Sequence, residues 1–151
     1  MESSNGEENV RELQLFSAGG LKLAIFTDEI AAITEWKEPV PLPHAPRAIL
    51  GVVSVQGRML TVIDPPVLFK ETEKSLPRHL IALRGDEQLA LAVGSLEGQL
   101  NISSENIRKL ENGINPVLGT VDQDAEQVYL IDVTKLYRSA IQGRERRRRH
   151  L

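Results

Sequence analysis

Residues Gly51 to Asp64 restrict this chain more than any other stretch, because they read as two β-strands folded back on each other. Val52, Val53 and Val55 are β-branched on one arm, and Thr61, Val62 and Ile63 on the other. Such side chains lose less freedom on a pleated surface than in a helix. Gln56-Gly57-Arg58 lies between the arms, and a glycine there can take the positive φ that a tight hairpin requires. Asp64-Pro65-Pro66 ends the second arm, since proline has no N–H for the ladder. Few charges interrupt either arm, so both faces are expected to be largely covered, with this hairpin as the spine of the fold.

The same pattern recurs on both sides. Leu13 to Ser17 alternates apolar and polar, Ala18-Gly19-Gly20 turns, and Leu21 to Phe26 returns. Thr27 or Asp28 can cap a short helical turn that leads into a strand around Ile33 to Trp36. Trp36, the one tryptophan, reads as a plug at the edge of the core. Four prolines between Pro39 and Pro46 make a stiff connector. After Asp64, a proline-started helical turn should pack Leu68 and Phe69 inward, followed by an exposed loop over 70–78.

A third hairpin pairs His79–Arg84 with Gln88–Val93 around Gly85-Asp86-Glu87. Gly98–Ile102 reads as a strand, Ser103–Ile107 as a capped turn and Asn112–Pro116 as a loop. Val117–Val121 and Glu126–Val133 form the last pair, around 122–125. Thr134 is expected to cap a helix that docks Leu136, Tyr137, Ala140 and Ile141 and stops at Gly143.

Four hairpins with little helix between them predict an all-β fold with closed or nearly closed sheets, because closure removes unpaired edges. One barrel of about ten strands would leave a wide lumen. Two small five-stranded barrels packed together are easier to fill when aromatics are 4% of the chain and the apolar residues are mostly Val, Leu and Ile.

Composition narrows function. No apolar run approaches the ~20 residues that span a bilayer, and no secretory signal precedes the first strand, so neither membrane insertion nor export is expected. Cysteine is absent, which excludes disulfides, thiolate metal sites and a cysteine nucleophile, and fits a cytoplasmic location. Met1–Glu12 is polar and acidic and reads as a disordered leader. Residues 144–151 carry five Arg and one Glu, +4; the net charge of −3 therefore leaves −7 on the rest. This Arg-rich tail over 143–151 reads as a solvated end. Its sharper alternative is contact with an anionic surface, so a small-barrel nucleic-acid binder is the second class considered; three Phe, two Tyr and one Trp are few for base stacking.

Nothing points to catalysis. His44, His79 and His150 share no metal-ligand spacing, Gly94–Gly98 lacks the central serine of a nucleophile elbow, and no phosphate-binding loop occurs. No cofactor and no small-molecule substrate are expected. Gly51, at a strand start, marks either a bulge or a close approach by another backbone.

A glycine, an apolar strand, a polar residue with glycine, a second apolar strand and Ile63-Asp64 together resemble the signature of the CheW-like family of bacterial chemotaxis coupling proteins. The resemblance covers roughly Leu13 to Tyr137. It implies two small five-stranded SH3-like barrels sharing a core, with a C-terminal helix, one barrel over about 27–72 and the other over about 79–125, with the chain ends crossing over. It also implies a non-catalytic adaptor whose partners are the regulatory domain of a histidine kinase and the cytoplasmic tip of a chemoreceptor, with self-association open. Carried over by position, the partner-binding residues are Ile30, Ile33, Gly51, Val53, Gln56, Gly57, Arg58 and Asp64. The plain alternative for Ile30, Ile33 and Val53 is core, and for Asp64 a cap. Four positions depart from the family's usual pattern. Gln56 replaces an arginine before the turn glycine, Ala32 an acidic residue, Pro65 a leucine, and Gly94 an acidic residue.

Overall fold

The computed structural model describes residues 9–70, 76–110 and 116–141. The first strand, β1 (Val10–Ala18), pairs with β2 (Leu21–Phe26), and a 3₁₀ turn at Thr27–Glu29 leads into β3 (Ile30–Glu35). Then come β4 (Ile49–Val55), β5 (Arg58–Ile63) and the single-turn helix α1 (Pro65–Leu68). The second half repeats the order with β6 (His79–Leu83), β7 (Leu89–Val93), β8 (Ser95–Ser103), the short β9 (Arg108–Lys109), β10 (Val117–Gln123) and β11 (Glu126–Ile131). A second helix, α2, occupies 136–141. Order begins at Val10 rather than Leu13, because β1 extends to pair Val10 with Ser103. The rest of the expected leader and the Arg-rich tail lie outside the described residues, as does most of the expected 112–116 loop.

The strands form two sheets, β3-β6-β7-β5-β4 and β8-β1-β2-β11-β10-β9. This is the expected all-β architecture of two small SH3-like barrels, with six strands rather than five in the second. The expected division at 72/79 does not match the sheet order. The β6–β7 hairpin lies in the sheet of β3, β4 and β5, and the β1–β2 hairpin lies in the sheet of β8 to β11. Each half of the chain lends its opening hairpin to the other's sheet. Among the described residues, the joints are the only parallel pairings between strands, β5 with β7 (Val62 opposite Ala90) and β11 with β2 (Leu130 opposite Ala24). Short-range alternation cannot reveal such an exchange, because each hairpin is locally complete.

Packing explains why the exchanged hairpins are so apolar. Leu23 and Ile25 of β2 meet Ile81, Leu83, Leu91 and Val93 of β6 and β7 in a core shared by the sheets, which Leu136 of α2 closes. The alternate residues Ala24 and Phe26 face the interior of the six-stranded barrel with Val121, Val128 and Leu130. Leu80, Ala82, Ala90 and Ala92 face the interior of the five-stranded barrel with Val53, Val55, Leu60 and Val62. Strands buried on both faces read as continuous apolar runs. The β4–β5 hairpin is covered on one face only, since Ser54 and Met59 are exposed. It is therefore a flank, and β6–β7 with β1–β2 form the spine.

Each barrel is closed by the continuation of its outermost strand. Beyond β3, Val40 bridges to Val52 of β4 through N–H···O bonds of 2.8 and 2.9 Å. Beyond β8, a 3₁₀ turn capped by Ser103, whose hydroxyl accepts from the Glu105 N–H, turns the chain into β9, which pairs with β10. The proline connector thus adds an edge rung to β4 as well as crossing between strands.

Local chemistry differs from expectation at several points. Gln56 and Gly57, with φ of +52° and +80°, make a two-residue turn, and Arg58 already pairs with Val55. Both central residues have positive φ, which matches the strand twist. Neither Thr27 nor Asp28 caps the turn at 27–29: Thr27 donates to the Glu12 carbonyl, and Asp28 accepts from Arg11. Asp132, not Thr134, caps the turn before α2, accepting from the Thr134 N–H at 3.1 Å and its hydroxyl at 2.6 Å.

Candidate partner-docking surface

The two halves match at a constant shift of 68 residues. Gly51 corresponds to Gly119, Gln56-Gly57 to Asp124-Ala125, and Ile63-Asp64 to Ile131-Asp132. Both glycines sit at register shifts, 49/51 and 117/119, and on both a β-carbon would strike the closing strand, at the carbonyl oxygen of Val40 and of Arg108 respectively. Gly51 is therefore both a bulge and a point of close backbone approach.

This frame distributes the eight sequence-predicted residues over five places. Ile30 is half-buried against the shared core, and Ile33, 38% exposed, lies two residues past the β3 register shift on the same edge strand. Val53, 6% exposed, belongs to the interior of the five-stranded barrel and is unavailable to a partner, because strand alternation turns it inward with Val55. Gly51 is buried beneath Val40. Gln56, Gly57 and Arg58 share the exposed hairpin tip. Half-buried Asp64 precedes α1; its N–H donates to the Ala48 carbonyl and its own carbonyl accepts from Val67. Trp36 packs against the barrel interior as a plug, with its indole N–H directed at Glu38.

The surface these elements build includes residues that the hairpin motif did not single out. Met59, 56% exposed, lies opposite Ser54, and Val40, 66% exposed, lies opposite Val52. Lys37 donates to the Ser54 carbonyl at 3.1 Å, which holds its ammonium beside the hairpin. Strand parity counted from buried Val53 and Val55 assigns Ser54 and Met59 to the outer face. That signal was present in the sequence.

The other crossover carries its own electrostatics. Lys22 and Glu97 meet at 3.0 Å, and Ser95 donates to the other Glu97 oxygen at 2.6 Å. The Ser95 and Lys22 donors hold the Glu97 carboxyl below its usual range, and Glu97 in turn raises Lys22. Glu29 behaves oppositely. Burial at the β2–β3 crossover pushes its carboxyl up, with Asp28 and Asp132 adding to the shift and Arg11 opposing it; one carboxylate oxygen is buried without a hydrogen-bond partner.

A model of the CheW-like domain matches residues 12–140. The chain belongs to the CheW-like family. A "Chemotaxis protein CheW" of Rhizobium meliloti (strain 1021) is 27% identical over 101 residues, and the match spans 65% of this chain and 65% of that relative. Among solved structures, the scaffolding protein TtCheW from Thermoanaerobacter tengcongensis superposes with a TM-score of 0.77 at 17% identity, covering 84% of this chain and 87% of that one. That likeness establishes the shared CheW-like fold. Among the described residues, no helix is long and apolar enough to cross a membrane.

Proposed function

We propose that this CheW-like chain is a cytoplasmic, non-catalytic chemotaxis adaptor that couples a chemoreceptor tip to the regulatory domain of a sensor histidine kinase. Family membership over 129 of the 151 residues, 12–140, is the observation that carries this reading. An adaptor works by differential affinity for two partners, so it needs complementary surfaces rather than reactive groups. The exposed flank of the five-stranded barrel supplies one such surface, with Val40 and Met59 as apolar contacts beside Lys37, Gln56 and Arg58. The β3 edge, with Ile30 and Ile33, supplies a second.

Calorimetric titration against the kinase regulatory domain and a receptor-tip fragment from the same organism tests the proposal. Met59→Asp should weaken kinase-domain binding at least ten-fold and leave receptor binding intact, and Ile33→Asp should do the reverse. Absence of heat with both fragments would remove the adaptor reading.

A further inference from the structure

The β6–β7 turn and the turn before α2 flank a cleft of about 240 Å³. Leu83, Leu89 and Val133 give it apolar walls, and Asp86 and Glu87 against Arg84 give it a net charge of −1. These three charged residues are exposed, and none forms an ion pair among the described residues. Two more carboxylates stand beside them. Asp132, next to Val133, gives one oxygen to the Thr134 N–H and hydroxyl, while Lys135 stays 3.9 Å from the other. Glu29, whose carbonyl accepts from the Arg84 N–H at 2.9 Å, keeps one buried carboxylate oxygen without a hydrogen bond. The cleft is thus apolar in its walls and acidic on balance.

An arginine side chain matches that combination, because its aliphatic stem covers apolar surface while its planar fork of donors pairs with carboxylate oxygens. The chain supplies such residues close by. Helix α2 runs from 136 to 141, so it carries the chain only ~9 Å beyond the Val133 wall. Extended backbone advances ~3.3 Å per residue, so the residues from 142 onward retrace the helix by Arg146 and bring Arg146 to Arg149 within reach of the cleft. Residues 144–151 carry five Arg against one Glu, +4.

We propose that the Arg-rich tail folds back along α2 and docks in this cleft of its own chain. The occupant is the tail because it joins opposite charge to a short tether, which gives an intramolecular contact an effective concentration on the order of millimolar. The contact is screened by salt. Leu83, in the cleft wall, also pairs with Ile30 at the start of β3, so a docked tail flanks that edge and competes with whatever binds there. The inference does not depend on the adaptor reading.

Paramagnetic relaxation in the full chain tests it. The sequence has no cysteine, so Leu151→Cys provides a single attachment point for a nitroxide. At about 50 mM salt the amide signals of Gly85, Gln88 and Thr134 should lose at least half their intensity, and they should recover at about 500 mM. Asp86→Lys/Glu87→Lys, and separately Arg146→Gln/Arg147→Gln/Arg148→Gln/Arg149→Gln, should abolish the loss while the remaining amide spectrum stays that of the folded chain. Isotope-labelled chain without nitroxide, mixed with unlabelled chain that carries it, should show no loss. Four outcomes overturn the proposal. The cleft amides could keep full intensity at low salt. The loss could persist in Asp86→Lys/Glu87→Lys. It could fall instead on residues around Glu105, Asp124 and Glu126, assigning the tail to that acidic end of the six-stranded barrel. The mixture could show the same loss as the single chain, which would make the occupant the tail of a second copy.

Discussion

A β-carbon placed on Gly51 would lie 2.2 Å from the carbonyl oxygen of Val40, the residue whose two hydrogen bonds to Val52 close the five-stranded barrel. Gly51 also has φ of +144°, a conformation that L side chains rarely adopt. Gly51→Ala should therefore destabilise the protein by about 3 kcal/mol or more, combining backbone strain with a displaced closing strand. Gly57→Ala, where no atom lies within 4 Å of the added carbon, should lose only about 1 kcal/mol through its positive φ. Paired urea unfolding curves give both numbers, and equal losses would contradict the steric account.

Ala125 occupies the place of Gly57 in the second barrel with φ of +65°. A β-carbon in that region carries a penalty of roughly 1 kcal/mol that glycine avoids. Ala125→Gly should stabilise the fold by about that amount, read as a rise in Tm of about 2–4 °C for a chain of this size.

Gln14 is buried, and its amide donates to the carbonyls of Leu15 and Gly98, both at 3.0 Å, across the register shift between β1 and β8. Gln14→Leu keeps the volume and leaves two carbonyls without those donors. A loss of about 2 kcal/mol should follow, measured by chemical denaturation, because a buried acceptor left unpaired loses its hydration as well as its bond.

Glu29 links stability to pH. Its folded carboxyl is raised by burial, so the unfolded chain releases this proton more readily. The protonated side chain favours the fold at pH below the ordinary glutamate value of about 4.3, and that contribution disappears as pH rises through the folded value. Glu29→Gln removes the burden. The variant should be more stable than the native chain at neutral pH, with the gap closing toward pH ~4. Denaturation midpoints across the acid range check this, and a constant gap would exclude Glu29 as its source.

Val53 and Met59 separate the barrel interior from its surface. Val53→Asp places a charge among Val55, Leu60 and Val62 and should cost more than about 4 kcal/mol, abolishing every function through unfolding. Met59→Asp lies in the open and should change stability by about 0.5 kcal/mol or less. Circular dichroism beside binding measurements distinguishes the two effects.

Much of the fold was legible in the chain because hairpins are local. Alternation in β1, β4, β5, β10 and β11, with glycine or Asx turns between them, carries strand identity at short range. The pairing of β7 with β5 and of β2 with β11 joins residues far apart in sequence and leaves no local mark, so the barrel boundaries could not be placed from periodicity. The capping at 27–28 failed for a related reason, because tertiary neighbours engage both side chains, the Glu12 carbonyl that of Thr27 and the Arg11 guanidinium that of Asp28, whereas the Asp132 cap on Thr134 is local. The docking residues were legible in part. The Gln56–Arg58 tip was visible as a turn, whereas the inward direction of Val53 depends on the strand parity around the bulge at Gly51. The repeat at 68 residues, from Gly51…Ile63-Asp64 to Gly119…Ile131-Asp132, was available in the sequence and would have exposed the correspondence of the two halves.

The exchange of opening hairpins makes the two halves mutually dependent for folding. A chain cut between α1 and β6 yields two fragments, each with a sheet missing its middle and a hairpin with no home. The tips, at the far ends of the barrels, are exempt from that obligation. Change inside one half is therefore answerable to the other, whereas change at a tip is answered where it occurs.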